Sequence, residues 1–92
     1  MTNILEKNKH IPTTQVLQDI ADTEREIADM TREAEGLRLI GDRLSVYRAE
    51  ARDIGIEKRK KFVADLRALV HARADAGERL SFILERKNHD EI

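Results

Sequence analysis

Beyond Pro12 the chain runs to Ile92 without another proline, and only Gly36, Gly41, Gly55 and Gly77 punctuate it. Proline removes a backbone donor and glycine favours turns, so their scarcity leaves few places to reverse direction. Long helices fit such a chain; many short strands do not. The apolar pattern agrees. Val16, Ile20, Ile27, Met30, Ala34, Leu37 and Leu44 recur at steps of three and four, with Thr23 filling one gap. That is a heptad seam rather than strand alternation. The stripe continues through Ala51, with Ile40, Tyr47 and Ile54 as a companion column.

A second run carries Phe62, Leu66, Leu69, Ala76, Leu80 and Ile83, flanked by Val63, Val70, Gly77 and Leu84 at seven-residue steps. Two columns make a face wider than one partner helix covers. Arg73 is the charged interruption. It reads as a side chain that snorkels past Ala34 and Ala76 toward solvent or Glu33, the alternative being a buried polar residue that sets register.

Gly55, between Ile54 and Ile56, resembles a glycine C-cap followed by its hydrophobic contact. The expected architecture is therefore all-α: a long antiparallel helical hairpin, about 13–54 and 57–87, coiled-coil-like and assembling into a four-helix bundle. Thr13 or Thr14 would supply the first N-cap. In this register Leu44 lies near Leu66, Met30 near Leu80, Ile27 near Ile83, and Ala34 opposite Ala74–Gly77. The alternative is a break at Gly41, giving three helices. Residues 1–12 read as a flexible N-terminal arm with at most one helical turn, 13–87 as the domain, and 88–92 as a polar tail.

Charge divides the chain unevenly. Residues 13–40 carry seven carboxylates and three arginines, a balance of −4; residues 41–87 carry twelve cations and eight carboxylates, +4. Lys58, Arg59, Lys60 and Lys61 stand together just past Gly55, where a helix N-terminus would disfavour them. A turn at Gly55 keeps them away from the acidic stretch of Asp19, Asp22, Glu26 and Asp29. A head-to-tail homodimer would bring basic and acidic ends together and cover the wide apolar face. Its candidate interface is Ile27, Met30, Leu37, Leu44, Phe62, Val63, Leu66, Val70, Leu80 and Leu84. A turn at Gly41 would let the cations reach Asp22 and Glu24 within one chain, removing this reason for a dimer.

Chemistry finds little foothold. The chain has no cysteine, no phosphate-binding glycine loop, and no zinc or calcium motif. His10, His71 and His89 are scattered; Ala68, three residues before His71, rules out a Glu-x-x-His di-iron pair. His71 and Asp75 share a helix face without a third group. The expectation is a non-enzymatic protein with no cofactor and no catalytic or metal residues. No stretch resembles a signal peptide or a membrane span, which points to the cytoplasm and away from membranes.

The function expected is a self-associating helical interaction protein that acts stoichiometrically on a protein partner. Adaptors, chaperones and small inhibitors of larger complexes, such as mobile elements encode, are of this kind. The competing class is a nucleic-acid-associated regulator using residues 58–61. Against it stand a net charge of −1, the lack of a short recognition helix, and aromatics at only 3%.

Overall fold

The computed structural model describes residues 4–78 and is entirely helical over that span apart from its connections. Helix α1 covers Ile4–Asn8, α2 Thr13–Ile40 and α3 Arg43–Asp75. The two long helices pack along each other. Among their cross-links, Glu33 with Arg52, Glu26 with Arg59 and Glu24 with Arg67 fall in one helix as they rise in the other, so the pair is antiparallel.

The reversal lies at Gly41, not at Gly55, and the boundaries 13–54 and 57–87 are corrected accordingly. Gly41 takes the left-handed conformation, φ 77°, and its N–H reaches the Leu37 carbonyl at 3.3 Å, closing α2. That backbone shape strains any residue with a Cβ, which is why a glycine stops the helix here. Asp42 is extended, and its carboxylate accepts the Ser45 N–H at 2.7 Å, opening α3. A stop and a start signal stand side by side, and the connection needs only Gly41 and Asp42.

Gly55 stays helical. A Cβ built on it would lie 2.7 Å from the Met30 methyl, so this glycine admits a neighbouring side chain rather than ending a helix. At Gly36 a Cβ would meet nothing within 4 Å. A glycine inside an apolar run marks a break or a close contact; Gly41 is the break and Gly55 the contact.

The inner face of α2 follows the expected seam. Val16, Thr23 and Ala34 are buried, and Ile20, Ile27, Met30 and Leu37 half-buried, at strict four-three spacing. The facing seam of α3 is different from the one expected. Ser45, Ala49, Ile56, Val63 and Arg73 are buried, with Arg52, Arg59, Leu66 and Val70 half-buried between them, again at four-three steps. Small residues and arginine stems thus occupy positions where the sequence pattern called for leucines. The pairings of Met30 with Leu80 and Ile27 with Ile83 fall on residues outside those described. Ala34 does not face Ala74–Gly77: it follows Glu33, whose partner is Arg52, so it packs at the level of Ala49.

At the end of the hairpin away from the turn, α1 lies on α3. Leu69 is only 2% exposed although it points away from the α2-facing seam, because α1 covers that side. No helix among the described residues is long and apolar enough to cross a membrane.

Candidate interaction surfaces

The basic run now has a physical explanation. Residues 58–61 lie in the middle of α3, far from any helix N-terminus, so the dipole exerts no penalty on them. Arg59 donates from Nε to Glu26 at 2.9 Å and from Nη1 to the Gly55 carbonyl at 3.2 Å. Lys60 lies 3.7 Å from Glu57. Lys58 and Lys61 are exposed and pair with no carboxylate among the described residues. Of the acidic candidates, Asp19 and Asp22 accept from Gln15 and Gln18 at 2.8 and 2.9 Å, and Asp29 pairs with Arg32. Glu26 alone joins the basic run. Acidic α2 and basic α3 meet inside one chain, so the charge imbalance no longer argues for a dimer. Ion pairs this exposed add little stability; their consistent spacing favours one register of the hairpin.

Arg73 does not snorkel. It is 7% exposed and its guanidinium ties three segments together. Nη1 donates to Thr13 Oγ1 at 2.7 Å; Nη2 donates to the Asn8 carbonyl at 2.8 Å and also to the Ile11 carbonyl. The Thr13 hydroxyl in turn donates to Glu78, whose carboxylate lies 3.9 Å from Arg73 Nε. Thr13 is therefore no N-cap: Pro12 holds that position and makes no side-chain cap. A five-residue helix cannot sustain itself in water. The clasp at Arg73 and the apolar seat on α3 are what hold α1.

Of the candidate interface residues, Val63, Leu66 and Val70 are taken up by the hairpin or by α1, and Ile27, Met30 and Leu37 are half-buried against α3. Leu80 and Leu84 lie outside the described residues. Phe62 is half-open beside α1, in a groove of about 410 Å³ that Ile4, Lys7, Asp65 and Leu69 help to line.

Leu44 behaves otherwise. It is 65% exposed, and so are Tyr47 at 69% and Ile54 at 60%. With Ala51, also exposed, they stand at steps of three and four along the side of α3 opposite its Ser45–Ala49–Ile56–Val63 seam. The helix has two apolar faces, and only one is used among the described residues. At the turn, Ile40, 65% exposed, lies beside Arg48 on the flank of this face. Arg43 and Arg48 flank it without any carboxylate partner among the described residues. Sequence reasoning placed Leu44, Tyr47, Ala51 and Ile54 in a continuous seam but took it for an inward one. It passed over Arg43.

Among the described residues Asp42 is the one titratable group whose pKa is displaced from its ordinary value. The Ser45 backbone N–H holds its carboxyl below the ordinary aspartate value, because a donor favours the charged form. Among the described residues no three histidine, aspartate or glutamate side chains converge into a group that could hold a metal ion.

Compared with protein-family models, curated proteins and solved structures, the chain matches none.

Proposed function

We infer that this is a non-enzymatic, self-associating helical interaction protein, acting by binding rather than by turnover. One observation carries the reading: the bare heptad-spaced stripe of Leu44, Tyr47, Ala51 and Ile54, with Ile40 on its flank at the turn. Apolar residues at those steps are what a helix presents to another helix or to a groove. Contiguous open apolar surface on a small protein marks a binding site. Two hairpins joined through this face would give a homodimer with four long helices and a coiled-coil-like seam between copies. Such a dimer leaves the outer face of α2 and the cation Lys61 to engage a protein partner, as an adaptor, chaperone or stoichiometric inhibitor does.

The nucleic-acid reading is weakened because Arg59 is committed to Glu26 and Lys60 has the Glu57 carboxylate 3.7 Å away, which leaves only Lys58 and Lys61 of the four without a carboxylate neighbour among the described residues. Phosphate binding draws on clustered uncommitted charge. Reversing Lys58 and Lys61 to glutamate separates the classes. The interaction reading predicts no salt-sensitive binding of labelled DNA or RNA by the parent chain, measured by fluorescence anisotropy. Tight nucleic-acid binding by the parent that the reversal abolishes would overturn it.

A further inference from the structure

We propose that the open face of α3 is completed by the same face of a second copy, antiparallel about a two-fold axis between Tyr47 and Ala51; this rests on the self-association reading above. The length of bare helix is the first argument. α3 is uncovered on this side from the turn at Arg43 to the neighbourhood of Phe62, where α1 begins. With the axis at that position, Leu44 faces Ile54 of the second copy, and Tyr47 faces its Ala51. Large residues meet small or medium ones in every layer. The turn of the second copy, with its Ile40, arrives over Lys58 and stops short of α1. The first helix thus sets the limit of the interface without taking part in it.

Area is the second argument. The open parts of Ile40, Leu44, Tyr47 and Ile54 amount to several hundred Å² on each copy, the order of the ~800 Å² per partner that a standard interface buries.

Charge is the third. The flank of the stripe carries Arg43, Glu50 and Glu57 at seven-residue steps. An antiparallel pair brings Arg43 opposite Glu57 of the second copy, once at each end of the interface. Arg43 has no partner in its own chain among the described residues, and Glu57 has only a 3.7 Å contact to Lys60. Within one chain the two lie fourteen residues apart on one helix, ~21 Å along its axis, too far to pair. Glu50 meets its own counterpart near the axis, and Arg48 does so on the opposite flank. Both are at the solvent edge, where repulsion is screened.

The test is a charge swap read by sedimentation equilibrium at low ionic strength. Arg43→Glu and Glu57→Arg should each weaken the dimer about tenfold, since two edge attractions become repulsions. The double variant should restore the parent affinity. Both positions are exposed and neither pairs with α2, so the variants keep the hairpin. A dimeric parent whose double variant stays weak would overturn this geometry and leave self-association standing. A monomeric parent would overturn both. The absence of cysteine supplies a second readout. Leu44→Cys combined with Ile54→Cys should form an intermolecular disulfide on oxidation, and neither single variant should. A disulfide in a single variant, or none in a dimeric double variant, would overturn the antiparallel arrangement.

Discussion

Replacing Gly41 and Gly55 by alanine, one at a time, should move stability in opposite directions. At Gly41 the backbone has φ 77°, where a Cβ crowds the following carbonyl. The left-handed conformation costs an alanine about 1–2 kcal/mol. Nothing offsets that cost, since no helix runs through the position. At Gly55 the backbone is helical, and alanine gains about 1 kcal/mol of intrinsic propensity over glycine. Its methyl would arrive 2.7 Å from the Met30 Cε, the free end of a flexible side chain. Pushing that chain off its rotamer costs about 0.5–1.5 kcal/mol. The net at Gly55 is close to zero. On a chain of this size, 1 kcal/mol moves Tm by about 4–8 °C. Thermal unfolding followed by far-ultraviolet circular dichroism, at one fixed concentration, should show Gly41→Ala melting clearly below the parent and Gly55→Ala within a few degrees of it. A larger loss at Gly55 than at Gly41 would place the turn at Gly55 and refute the hairpin register.

Arg73→Leu should destabilise the chain by about 3 kcal/mol, because it strands the Thr13 hydroxyl and the Asn8 and Ile11 carbonyls that the guanidinium satisfies. Urea unfolding gives the magnitude, and amide exchange in residues 4–12 should accelerate at the same time; an unchanged midpoint with unchanged exchange would contradict the clasp. The Asp42 cap should make the start of α3 sensitive to acid. A carboxyl whose folded pKa is depressed stabilises fully above its unfolded value, near pH 4, and loses that contribution as pH falls through the lower folded value. Asp42→Ala should therefore unfold more easily than the parent at pH 7, the gap narrowing below pH 4, while Asp42→Asn keeps the cap without the pH dependence.

The helical class and the α2 seam were legible in the sequence because Val16 through Leu37 keep an unbroken heptad spacing. The register of α3 was not. Its inward positions hold Ser45, Ala49, Arg52, Arg59 and Arg73, which carry a weak apolar signal or none. Its outward positions hold Leu44, Tyr47 and Ile54, which carry a strong one. Apolar spacing reports which residues seek burial, not whether the partner is in the same molecule. The stronger column therefore led the first helix straight through Gly41. The signal that could have decided the matter was local: glycine followed by Asp-x-x-Ser, a helix stop joined to an N-cap. The complementary charges of the two halves were plain in the composition, but where they met depended on that turn. Arg73 was singled out in advance. Its role depended on the N-terminal segment folding back, which the isolated pattern of residues 1–12 did not reveal.

The central claim is that the outward stripe of α3 is an interface. Sedimentation equilibrium over a range of concentrations, on the parent and on Tyr47→Glu, tests it most directly. The parent should fit a monomer–dimer equilibrium, and the variant should remain monomeric with unchanged helical content, since Tyr47 touches no part of the α2 seam. A parent that is monomeric throughout, or a variant that dimerises as the parent does, would contradict the account.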